Sequence, residues 1–187
     1  MAGGDSLGRT DALLVRRHGR NVIELYGEGI DSSSTLKSWS MAKSMLHAAV
    51  GLLVDAGRLD PGRPAPEPEW SRPRDPRAAI TLWDLLTMRP GLRWNEDYVV
   101  GEGSDVIEML FARDWEPVAD TGGFAAGKPL ASAPGTVTNY SSGTSNIVSR
   151  IVAGVVGPGA EYESWLRNEL FGPIGMDSAT PRFDEVG

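Results

Sequence analysis

Ser38-Trp39-Ser40-Met41-Ala42-Lys43-Ser44 opens the stretch on which the reading of this chain turns. Beyond it Met41, Met45, Ala48, Ala49, Leu52, Leu53 and Ala56 recur at helical spacing, and Gly57 supplies the stop. A helix here sets Ser40 and Lys43, positions i and i+3, on one face, about 5–6 Å apart at Cβ. A hydroxyl held against an amine in that way is a nucleophile beside its own base, the Ser-Lys form of nucleophilic catalysis. The helix start adds unpaired N–H groups and the positive end of the dipole, which favour an alkoxide and disfavour an ammonium. On spacing alone, the same residues read equally as an N-cap followed by a solvated lysine.

The tetrapeptide is a weak signal, since Ser-x-x-Lys recurs by chance about once in a chain of this length. Ser34-Thr35-Leu36-Lys37 is a second copy, in a polar, serine-rich stretch with no helical stripe. Arginine is the usual cation here, and lysine occurs only at Lys37, Lys43 and Lys128. Only lysine of the two can give up its proton and act as a base. His47, one turn beyond Lys43, is expected to be a packed residue of the helix rather than a base. Asp55, Asp84 and Glu108 have no spacing that pairs them for acid-base work and are read as surface or capping groups.

Upstream of the helix, Ala12 to Arg17 and Asn21 to Tyr26 read as strands joined by His18-Gly19-Arg20, a hairpin. Downstream, residues 58–76 carry Pro61, Pro64, Pro66, Pro68, Pro73 and Pro76, an extended connection without periodicity. Thr81 caps a short helix, Leu82 to Met88, closed by Pro90-Gly91. Residues 94–103 are expected to be loop, and a helix runs from Ser104 or Asp105 to Phe111 or Ala112. Residues 121–135 read as loop and 136–140 as a short extended piece. Gly143 to Val156 and Tyr162 to Phe171 complete the helices. Trp83, Trp94 and Trp115 are expected mostly in the core, with Trp94 also a candidate to line a substrate cleft.

The chain has 187 residues, 41% of them apolar and 23% charged, in keeping with a globular protein. Its formal charge of −7 argues against nucleic acid, which selects basic surfaces. No apolar run approaches the ~18 residues of a membrane span, and Met1-Ala2-Gly3-Gly4-Asp5 does not open like a signal peptide. The compartment stays open. Without cysteine, and with only His18 and His47, neither thiolate nor multi-histidine metal sites are expected. No metal and no organic cofactor is expected.

Several segments, in order, resemble the serine β-lactamase and penicillin-recognising superfamily, especially its class C-like esterases and 6-aminohexanoate-dimer (nylon oligomer) hydrolases. Ser38 to Ser44 with its stripe and Ala56-Gly57-Arg58-Leu59-Asp60 resembles the nucleophile helix. Residues 80–92, ITLWDLLTMRPGL, are similar to the helix and turn that follow the long loop. Pro134-Gly135-Thr136-Val137-Thr138-Asn139-Tyr140-Ser141-Ser142 resembles the second motif, and residues 170–176, LFGPIGM, the usual helix end.

The resemblance implies an α+β, β-lactamase-like fold, an antiparallel sheet flanked by a helical subdomain, represented here by the N-terminal hairpin and the helical block. Residues 1–187 would then be a single domain, incomplete at its C-terminus, because the family's late-strand Lys-Ser/Thr-Gly motif has no counterpart and Lys128 runs into Pro129. The implied roles are Ser40 as nucleophile, Lys43 as base, and Tyr140 as proton relay. Ser142 would face substrate beside Trp94. Where β-lactamases place asparagine in the second motif, Ser142 is shorter and lacks an amide, which favours an ester or linear amide over a β-lactam. The expected partner is a small-molecule ester or amide, with a second polypeptide as the route to a complete sheet. The alternatives are a non-catalytic binding or scaffold protein of this fold, and an inactive fragment that needs a C-terminal partner chain.

Overall fold

The structure is a computed structural model that describes residues 8–99, 103–112 and 117–187. The expected core place of Trp115 and the reading of residues 1–5 lie outside them. The chain divides between Lys37 and Ser38 into two compact units.

The first unit is the hairpin. Strand β1 (Ala12–Arg17) pairs antiparallel with β2 (Arg20–Tyr26), Leu13 facing Leu25 and Val15 facing Ile23, with an irregularity after Val15. The turn is two residues long, His18 and Gly19, at φ 47° and 78°. Positive φ at both turn positions matches the twist of the flanking strands. Arg20, expected in the turn, is the first residue of β2. Leu13, Leu14, Val22, Ile23 and Leu25 are all exposed, so neither face of this ribbon is covered.

The second unit is helical. A 3₁₀ turn, Trp39–Met41, runs into α1 (Ala42–Asp55). It is followed by α2 (Leu82–Leu86), α3 (Asp105–Phe111), α4 (Thr121–Ala126), α5 (Ser142–Val156) and α6 (Ala160–Leu166). The last continues into a π-helical turn over Arg167–Phe171. Thr81 and Asp84 close a capping box on α2: Thr81 Oγ1 accepts from the Asp84 N–H at 3.1 Å, and the Asp84 carboxylate accepts from the Thr81 N–H at 3.0 Å. Each partner thereby satisfies a donor that the short helix leaves open.

Helix α5 is the hub and packs against α1, α2, α3, α4 and α6. Its Ile147, Val148, Ile151 and Val152 are buried with Ala49, Val50 and Leu53 of α1 and with Leu82 and Leu85 of α2. Fully burying one such aliphatic side chain is worth about 1.5–3 kcal/mol, so this face fixes α1 against α5. Three expectations change here. Helix α1 carries two apolar stripes, and the one in the core is Ala49, Val50 and Leu53, while Met41, Ala48 and Leu52 are exposed. His47 is exposed rather than packed, and Trp83 is 54% exposed rather than in the core.

A fourth change is α4, within a stretch read as loop. Asp120 caps it, its carboxylate accepting from the Gly123 N–H at 2.6 Å. The glycines of α4 allow close approach: a Cβ at Gly122 would meet Arg150 and the Asn146 carbonyl at 3.0 Å. Tertiary contact outweighs poor intrinsic propensity. Residues 136–140 form no ladder.

Candidate active site

Trp39 has φ 45°, an uncommon conformation for a bulky non-glycine residue, directly before Ser40. Such strain tends to collect at functional positions. The 3₁₀ turn leaves Ser40 exposed, and the first turn of α1 carries Lys43 back over it. The Lys43 ammonium donates to Ser40 Oγ at 3.0 Å and to Ser142 Oγ at 3.1 Å. It also stands 5.0 Å from the centroid of the Tyr140 ring. Ser40 and Ser142, far apart in sequence, therefore share one ammonium.

Ser142 arrives through α5. Ser141 is the N-cap, its hydroxyl accepting from the Thr144 N–H at 2.8 Å, and Ser142 is the first helical residue. Tyr140 arrives through the loop before it. The Asn139 N–H donates to the Met88 carbonyl at 2.8 Å, and its side-chain amide to the Trp94 carbonyl at 3.0 Å. Gly91, at φ 78°, has the Ser132 carbonyl so close that a Cβ would fall 2.3 Å from it. Only glycine fits that approach, which ties residues 88–94 to the loop carrying Tyr140.

Tyr140 is 49% exposed. Its phenol ionises below the ordinary tyrosine value, chiefly because it hydrogen-bonds with the Ser40 hydroxyl, and further because of its hydrogen bond to Lys43 and that residue's charge. The phenol thus shares hydrogen bonds with both groups.

Trp94 is 8% exposed, with its ring edge-on to Phe124 at 6.2 Å. A Cβ on Gly143 would lie 2.5 Å from that ring, so the start of α5 rests directly on the indole. Trp94 props the site from the core side. The ring lies between Gly143 and Phe124, in keeping with the expected core place. Its Nε1–H donates to the carboxylate of Glu96, at 2.5 Å.

Glu96 escaped the sequence reading. It accepts from the Ser142 N–H at 2.8 Å and from the Ser142 hydroxyl at 2.5 Å. No spacing rule links positions 96 and 142; the only local signal is an acidic residue just after a tryptophan in a loop. Lys128 is held elsewhere, donating to Asp105 at 2.6 Å with its ammonium 4.1 Å from the Phe124 ring centroid. Among the described residues, no group of three or more His, Cys, Asp or Glu side chains is placed to hold a metal ion. None of their helices is long and apolar enough to cross a membrane.

Known proteins match this chain at the level of sequence and fold. A 6-aminohexanoate-dimer hydrolase of Paenarthrobacter ureafaciens is 30% identical over 192 residues, covering 95% of this chain and 46% of the relative. A solved Bacillus anthracis protein, provisionally assigned as a 6-aminohexanoate-dimer hydrolase, superposes with a TM-score of 0.63 at 18% identity, over 81% of this chain and 41% of its own. A Bacteroides dorei protein provisionally assigned as a β-lactamase gives 0.64 at 21% identity, over 89% and 46%. The chain spans about half the length of the curated relative it matches. The fold is therefore α+β and β-lactamase-like, represented by a hairpin and a helical block. The profile of the family described as Beta-lactamase matches residues 7–182, and the chain belongs to that family.

Proposed function

We propose that the chain carries the acylation machinery of a serine hydrolase acting on an ester or a linear amide. Ser40 Oγ attacks the carbonyl carbon, and Lys43 takes the hydroxyl proton as the C–O bond forms. Tyr140 passes a proton to the departing alkoxide or amine as the C–O or C–N bond breaks. Water then hydrolyses the acyl-enzyme by the reverse relay. The Ser40 N–H supplies one donor to the oxyanion; a missing second donor typically costs about 10²–10³ in rate. The single observation that carries this reading is Lys43 within 3.0 Å of Ser40 while also held by Ser142. The named activity of the Paenarthrobacter relative supports a linear amide among the substrates. Hydrolysis of p-nitrophenyl acetate tests it. The parent should turn the ester over and Ser40→Ala should not; equal rates would sink the proposal.

We also propose that the hairpin is completed by strands from outside these 187 residues, in a single β-lactamase-like domain. The observation that favours this is the exposure of Leu13, Leu14, Val22, Ile23 and Leu25 on a two-stranded ribbon, which is marginal in water alone. A rise in ester turnover above the 187-residue chain's own, on adding a polypeptide that supplies those strands, would support it. Turnover that such a polypeptide leaves unchanged would refute it.

A further inference from the structure

We infer that Glu96 is a positioning residue that aims the Lys43 lone pair at Ser40, acting through the Ser142 hydroxyl. The inference rests on the acyl-enzyme reading above and extends it to a residue outside the Ser-Lys-Tyr set.

The Glu96 carboxylate has one oxygen fixed by rigid donors and the other turned to the site. Oε2 accepts from the first N–H of α5, at Ser142, at 2.8 Å and from the indole of buried Trp94 at 2.5 Å. Oε1 accepts from Ser142 Oγ at 2.5 Å and from the Tyr98 hydroxyl at 3.4 Å. An ionised carboxylate only accepts, so Ser142 must spend its one hydroxyl hydrogen on Glu96. What Ser142 Oγ then shows to Lys43, 3.1 Å away, is a lone pair. Lys43 must be the donor in that contact.

The consequence concerns the base form of Lys43. A neutral amine has two hydrogens and one lone pair. With a hydrogen committed to Ser142, the lone pair is free to face Ser40, 3.0 Å off. Glu96 thus sets the direction of the whole hydrogen-bond chain from a distance. An amide in its place has one acceptor and a donor pair. Keeping its oxygen on the two N–H groups puts its NH₂ against Ser142 Oγ. The displaced hydroxyl hydrogen then turns toward Lys43 and competes with Ser40 for the only lone pair.

The test compares the full chain with Glu96→Gln, Ser142→Ala and the double variant, reading phosphonylation by a fluorophosphonate together with kcat and KM on p-nitrophenyl acetate. Glu96→Gln should lower kcat and the labelling rate about 10- to 100-fold, at or below the lower end of what a placed general base contributes. KM and the melting temperature should stay near the parent's. Ser142→Ala should do the same, and the double variant should be no slower than the slower single, because both act on one path. Parent-like phosphonylation of Glu96→Gln, or losses that multiply in the double variant, would overturn the inference while leaving the Ser40 reading intact. If Glu96→Gln does not fold, Ser142→Ala carries the test alone, and a parent-like rate overturns it. A parent chain that Ser40→Ala matches in both assays overturns the acyl-enzyme reading and the role of Glu96 with it.

Discussion

Ser34 and Ser40 each stand three residues ahead of a lysine, and their surroundings could hardly differ more. Ser34 sits in a turn organised by Asp31: its hydroxyl accepts from the Asp31 N–H at 3.0 Å and donates to the Asp31 carboxylate at 3.2 Å. Ser33 joins the same carboxylate, and these bonds, led by the Ser33 hydroxyl, hold Asp31 below the usual carboxylate range. No helical turn stacks Lys37 above Ser34. At Ser40 the 3₁₀ turn flows into α1, and Lys43 folds back over the hydroxyl and meets groups delivered by α5. Of the two Ser-x-x-Lys spacings, the one on helical backbone brings its amine into a hydrogen-bond cluster with side chains from a distant helix.

That contrast breaks most visibly at the two serines. Ser40→Ala should lower ester hydrolysis by on the order of 10³-fold or more, whereas Ser34→Ala should hydrolyse at the parent's rate; steady-state kinetics on both decides. The lysines come next. Lys43→Met should slow acylation by about 10²–10⁴-fold, the usual worth of a placed base, and Lys37→Met should not. Rapid-mixing measurement of phenolate release reads this step directly.

Tyr140 sharpens the contrast further. Tyr140→Phe should cost about 10²-fold in kcat through the leaving-group proton. In an absorbance titration, the Tyr140 phenol should ionise below an ordinary tyrosine and move back up in Ser40→Ala, with no change in Ser34→Ala. The sign for stability follows from a lowered folded-state value. The contribution is present at alkaline pH above the unfolded tyrosine value and is lost as pH falls through the lowered one. The smallest effect belongs to the scaffold. Gly51 lies mid-α1 with open space around its Cβ position, so Gly51→Ala should raise stability by about 0.5–1 kcal/mol in urea unfolding and leave acylation unchanged.

What was legible in the sequence is what local chemistry writes. The His18-Gly19 turn, the capping box at Thr81 and Asp84, the span of α3 and the stop of α1 each rest on residues close together in the chain. The Ser40–Lys43 contact was legible for the same reason. The expectations that changed depend on distant neighbours. Nothing in α1 says which of two apolar stripes faces α5, and α4 packs closely because Gly122 lets it press on Arg150 and Asn146. Glu96 is the extreme case, since its role is created by a helix that begins 46 positions later.

The central claim is that Ser40 is the nucleophile, and the intact mass of the chain after fluorophosphonate treatment, with peptide mapping, tests it most directly. One adduct on the peptide containing Ser40, lost in Ser40→Ala, is the expected result. An unmodified chain, or an adduct on Ser34 or any other residue that persists in Ser40→Ala, would contradict it.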